Sequence, residues 1–178
     1  MKHALFRTLL AAASAILGAT PAAADELVGG LTVHDVDTPL NKGGFEDGAD
    51  VQIGWRGGRI KALRAVGAPS PYAFVSASTS GGTNLAAAGI SWKIGGRIYL
   101  RPGLGIAVHD RSSHVVHGNF RGDLGSRILF EPELGLGFRI SDRLSAEASW
   151  VHVSHATLFG PQNPGMDNIG LRLSFRLR

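Results

Sequence analysis

Over residues 97–110 the chain alternates with a period of two. Ile98, Leu100, Pro102, Leu104, Ile106 and Val108 fall on one side, and Arg97, Tyr99, Arg101, Gly103, Gly105 and Ala107 on the other. The pattern returns over 125–140, where Ile128, Phe130, Pro132, Leu134, Leu136, Phe138 and Ile140 oppose Glu131, Glu133, Gly135, Gly137 and Arg139. It returns again over 166–177, where Asp167, Ile169, Leu171, Leu173, Phe175 and Leu177 oppose Asn168, Gly170, Arg172, Ser174 and Arg176. Period two means strands with two chemically different faces. Read along its length, the chain divides into eight such strands, expected at 27–36, 48–56, 71–80, 84–94, 97–110, 125–140, 142–155 and 166–177, with no helical stripe longer than a turn.

Two all-β architectures fit the pattern. A soluble sandwich or barrel hides the apolar face and shows the charges to water; a membrane barrel turns the apolar face to lipid and fills its lumen with polar groups. Strand length favours the second, since a tilted membrane strand needs about ten residues. The placement of glycine favours it too. Many of the 25 glycines recur singly on the charged faces, where the crowded interior of a small barrel needs them. The expected fold is therefore an eight-stranded antiparallel up-and-down transmembrane β-barrel. Glu131, Glu133, Glu147, Arg101, Arg139, Arg172 and Arg176 should pair inside it, and Leu134, Leu136 and Phe138 should face out. Gly95-Gly96 and Ser141-Asp142 mark tight hairpins. The segments 37–47, 111–124 and 156–165 form longer connections at one end, and an unusually long connection, 57–70, lies at the other.

The beginning of the chain reads as an export signal. Lys2, His3 and Arg7 form a basic start, Leu9 to Leu17 an apolar core, and Ala22 to Ala24 a small-residue cleavage pattern. The domains are then a signal peptide, 1–24, and a barrel, 25–178. Beyond the signal no segment offers about 18 consecutive apolar residues, so no helical span is expected. Without cysteine there is no disulfide framework. Removing Lys2 and Arg7 lowers the formal charge from +4, leaving a mild excess of cations that suits anionic lipid headgroups and gives no basic patch for nucleic acid.

Candidate chemistry concentrates in Trp150-Val-His-Val-Ser-His-Ala and the hairpin that follows it. His152 and Ser154 are two apart on one strand, so they share a face with Cα atoms about 7 Å apart. A histidine so placed can take the proton of a serine hydroxyl. Asp167, opening the next strand, can orient and stabilise the imidazole. Parity puts all three on the apolar, lipid-facing row, while His155, Ser149 and Glu147 fall on the other. Polar groups facing lipid are costly, and the cost is understandable if the substrate is itself a membrane lipid. On spacing alone, a His-x-Ser pair at a strand end is equally a chance pair meeting headgroups. His109, His114 and His117 lack any recognised metal-ligand spacing. Trp55, Trp92 and Trp150 read as interfacial aromatics. No cofactor or metal is expected.

The segment His152-Val-Ser154-His-Ala, with Asn163-Pro-Gly-Met-Asp167 and Gly170-Leu-Arg-Leu173, resembles the lipid A 3-O-deacylases, the PagL-like acyloxyacyl hydrolases. Gly105 to Asp110 and Leu124 to Phe130 are similar to that family's fifth and sixth strands. The resemblance covers most of the chain after the signal. It implies an eight-stranded outer-membrane barrel that hydrolyses the ester-linked acyl chain at position 3 of lipid A, with lipid A as its membrane partner. It also implies Ser154 as nucleophile, His152 as base, Asp167 as acid and Asn163 as oxyanion donor. His155 stands where the family usually has asparagine, and Asp167 where it usually has glutamate. Asn168 to Phe175 resembles the C-terminal signal of outer-membrane proteins. A non-catalytic structural or adhesive barrel is the alternative function. The sequence leaves the oligomeric state open, a homodimer included.

Overall fold

The computed structural model describes residues 24–41, 44–111, 124–158 and 163–177. Residues 1–23 of the expected signal segment, and His114 and His117, lie outside the described residues. The strands are β1 Ala24–Val33, β2 Ala49–Gly57, β3 Ser70–Ser78, β4 Leu85–Ser91, β5 Ile94–Gly95, β6 Ile98–His109, β7 Ile128–Arg139, β8 Leu144–Val153 and β9 Met166–Arg176. All pairings are antiparallel and follow chain order, with β9 returning to β1 through Leu27↔Phe175 to Val33↔Ile169. Both β4 and β5 pair with β6, at Ser91↔Gly103 and Ile94↔Leu100, so together they form one side of the closed sheet, broken at Trp92 and Lys93. The result is a closed eight-stranded antiparallel β-barrel. Closure pairs each strand on both sides and leaves no open edge, which is the condition for a sheet in hydrocarbon.

The alternation resolves as the membrane version of the pattern. Glu131 is 0% exposed and Glu147 1%, while Leu136 is 55% and Ile98 66% exposed on the outer wall. Inside, the charges answer one another. Arg56 and Arg101 each donate to Glu147 at 2.7 Å, Arg172 donates to Glu133 at 2.6 Å, and the Tyr72 hydroxyl donates to Glu131. Ion pairs so buried are tolerable only because each carboxylate keeps close donors. Arg139 and Arg176, expected inside, are only partly buried, because their strands end there and they line the rim. The lumen leaves no room beside its bulky groups at Gly105. A Cβ there would come within 2.6 Å of Glu131 Oε2 and 2.7 Å of both Tyr72 Oη and Ala88 O.

The connections fall at two ends, and length does not separate them, since 58–69 is longer than 79–84. At one end, called here the outer end, lie 34–48, 79–84, 110–127 and 154–165; at the other, the inner end, lie 58–69, 96–97 and 140–143. The connection after β2 contains a 3-10 helix, Lys61–Val66, which period-two reading did not anticipate. Among the described residues no helix is long and apolar enough to cross a membrane.

Candidate active site

The site forms where β8 and β9 run out at the outer end. The register of their ladder sets His152 directly opposite Asp167 and Trp150 opposite Ile169. Directly opposed residues hold their Cβ atoms about 5 Å apart, close enough for an aspartate to reach without the extra methylene of glutamate. His152 Nδ1 lies 2.8 Å from Asp167 Oδ1. Beyond Val153 the chain stays extended through Ser154, which is bonded to Phe130 in both directions, at 2.8 and 3.1 Å. Parity therefore holds through 154. Val151, Val153 and His155 are buried inward, and His152 and Ser154 share the outer wall.

Asp167 lies on the lipid-facing row yet is 0% exposed. The connection after β1 folds over it. Val36 N–H donates to Asp167 O at 2.7 Å, and the Thr38 hydroxyl donates to Asp167 Oδ2. Trp150 Nε1 donates to Asp167 Oδ1 at 2.8 Å. The carboxylate thus receives three side-chain donors: His152, Trp150 and Thr38. With the carboxylate ionised, the proton on His152 belongs on Nδ1, and Nε2 is left with its lone pair. The ring is also held by packing. Trp150 lies 6.1 Å away between ring centroids, and Gly165, at φ +69°, leaves room where a Cβ would come within 3.0 Å of His152 Cε1.

The covering connection has its own fastening. Asn41 Nδ2 donates to Val36 O at 2.8 Å, and Thr38 N–H donates to Asn41 Oδ1 at 3.0 Å. Asp35 Oδ2 accepts from the amides of Phe45 and Glu46, and Asp35 N–H donates to Asn168 Oδ1. Beneath it His34 bridges Asp50 and Glu46, each at 2.8 Å. Burial alone would push the His34 imidazole down, but its hydrogen bonds to Asp50 and Glu46 prevail and raise its pKa to about 9. Burial alone would push Glu46 up, but the bond from His34, the Thr83 amide and nearby Arg111 bring it down to about 2.

Of the residues singled out from sequence, His152 and Asp167 are brought together. Ser154 shares their face, but among the described residues no hydrogen bond joins its hydroxyl to His152. Asn163 is at the site, with its Oδ1 accepting from the His155 amide at 3.0 Å, so only its Nδ2 remains to donate elsewhere. Trp150, expected as an interfacial aromatic, has a polar task on Asp167. His109 donates from Nε2 to Ser126 O at 2.7 Å, a structural bond across its strand end. Among the described residues no group of three His, Cys, Asp or Glu could hold a metal. Thr38 was missed by sequence reading, because nothing local in Asp37-Thr-Pro39 signals a contact with a strand far along the chain.

Comparison with known proteins identifies the family and the fold. A family model described as lipid A 3-O-deacylase (PagL) matches residues 45–176. A solved structure described as the crystal structure of the outer membrane enzyme PagL aligns with TM-score 0.60 at 17% identity, covering 85% of this chain and 99% of that one. At that identity the likeness is one of fold. No curated protein matches by sequence.

Proposed function

Because the chain belongs to the lipid A 3-O-deacylase (PagL) family, we propose that it is an outer-membrane esterase that removes the ester-linked acyl chain at position 3 of lipid A by Ser–His–acid catalysis. The observation that carries the reading is the Asp167–His152 bond on the lipid-facing wall, two residues from Ser154. A histidine bonded to a carboxylate beside a serine has little use facing hydrocarbon unless the reacting bond arrives through the membrane.

In this mechanism His152 Nε2 takes the Ser154 proton as Oγ attacks the acyl carbonyl. The tetrahedral oxyanion meets Asn163 Nδ2, the group its bond to His155 leaves over. Collapse expels the sugar oxygen, which receives the proton from His152. Water then attacks the acyl-serine carbonyl, giving a proton to His152; as the acyl C–O bond breaks, His152 returns that proton to Ser154 Oγ and the fatty acid leaves. Asp167 stays ionised and stabilises the imidazolium. A side-chain rotation at Ser154 closes the bond that the resting site lacks, as free sites commonly tighten only around substrate. Export is assigned to residues 1–24.

A second reading, a non-catalytic barrel, is favoured by that same missing Ser154–His152 contact. Mass spectrometry of lipid A from an outer membrane expressing the protein separates the two. Loss of the 3-linked acyl chain is expected from wild type. Ser154→Ala should abolish it, His152→Ala should nearly do so, and Asp167→Ala should lose less. A wild-type profile equal to that of Ser154→Ala supports the inert barrel. Full activity in Ser154→Ala removes Ser154 from the mechanism.

A further inference from the structure

The connection between β2 and β3 borders the inner mouth of the lumen through Gly58, Arg59 and Ala68, takes no part in the site, and is held by its own bonds. Ile60 N–H donates to Pro69 O at 2.8 Å and Ala68 N–H to Leu63 O at 2.9 Å. The Arg59 guanidinium donates to Gly67 O at 2.8 Å and Ala68 O at 3.1 Å, and Trp92 Nε1 reaches across to Val66 O at 2.7 Å. Despite this, its 3-10 helix buries no residue. Leu63 is 39% and Val66 60% exposed. The segment is kinked at Leu63, and within this short stretch exposed Leu63 and Val66 stand beside exposed Lys61 and Arg64. An ordered element that buries none of its own residues, and presents apolar and basic side chains side by side, is built for a neighbour.

The position identifies that neighbour. The helix follows the inner end of β2, which sets it at the level where hydrocarbon gives way to headgroups. Charge points the same way. The connections of the outer end are rich in acids, among them Asp35, Asp37 and Glu46, whereas exposed Arg97 and Arg143 join Lys61 and Arg64 at the inner end. We propose that the Lys61–Val66 helix docks on anionic phospholipid headgroups in the leaflet at the inner end of the barrel. Leu63 and Val66 sit in the interface and Lys61 and Arg64 meet the phosphates. The site is separate from the esterase reading and rests only on the barrel spanning a bilayer.

The test is native mass spectrometry of the refolded full barrel, offered equal phosphatidylglycerol and phosphatidylcholine with identical acyl chains. Wild type should retain phosphatidylglycerol over phosphatidylcholine by about fivefold or more, the scale of one or two cations near a charged surface, and added salt should shrink the ratio. Lys61→Gln with Arg64→Gln should bring the ratio close to unity. Leu63→Ser with Val66→Ser should reduce retention of both lipids. All of these positions are exposed, so the variants should remain heat-modifiable barrels. Equal retention by wild type, or a ratio indifferent to the charge variant, would overturn the proposal.

Discussion

Asp167 shows how a shorter acid can hold a site. Aspartate reaches His152 because the ladder puts the two directly opposite, and Thr38 and Trp150 fix the carboxylate from its other sides. Three donors on one buried carboxylate restrict its rotation, so the imidazole has one favoured orientation. If the esterase reading holds, Thr38→Val, which keeps the shape and removes the hydroxyl, should slow lipid A deacylation by about tenfold, the lower range of a hydrogen bond to a charged group. Thr38→Ser should restore most of the rate. Kinetics on folded barrels in lipid-A-containing micelles would show it. Equal rates in the valine and serine variants would reduce Thr38 to a spacer.

The β1–β2 connection works as a clasp over the site, and its fastening is ionic. His34 has its pKa raised from 6.5 to about 9, so its contribution is complete below the unfolded value and fades as pH rises through about 9. Glu46 is lowered from 4.5 to about 2, so its contribution is present above the unfolded value and fades as pH falls through about 2. The clasp should therefore be tightest in the window between the two unfolded values, from about pH 4.5 to about pH 6.5. Amide protection factors at Phe45 and Glu46 should fall as pH passes about 9, and deacylation should fall with them, because Thr38 rides on the same segment. Protection that stays flat from about pH 7 to about pH 10 would show that the backbone bonds alone hold the connection.

The two sides of the barrel obey opposite rules, and substitutions should reveal which side is which. Leu134 lies near the middle of β7 on the outer wall, 42% exposed to what would be lipid. Leu134→Arg should cost about 2–4 kcal/mol, the depth-dependent penalty of a cation at the bilayer midplane, as read from denaturant unfolding in lipid. Gly105→Leu meets a different obstacle. Its side chain would press on Glu131, Tyr72 and the Ala88 carbonyl inside the closed sheet, so the variant should fail to form the heat-modifiable species. A Gly105→Leu barrel of normal yield would mean the lumen can yield where the packing says it cannot.

Much of this molecule was legible in the residues themselves. Period two gives strand positions and assigns each side chain a face, because successive strand residues point to opposite sides whatever their neighbours are. That alone put Glu131 and Glu147 on the face opposite Leu136, and His152, Ser154 and Asp167 on one wall. Alternation cannot say which face meets lipid, and it carries no register. Closure of the sheet decided the first, by turning the charged face into a lumen where Arg56 and Arg101 meet Glu147 and Arg172 meets Glu133. The β8–β9 ladder decided the second, setting His152 against Asp167. Short-range pattern was also blind to contacts between distant segments. Thr38 on Asp167, Asn163 on the His155 amide and the self-capped helix after β2 depend on where connections come to rest, and that follows from closing the barrel, not from the residues of each connection alone.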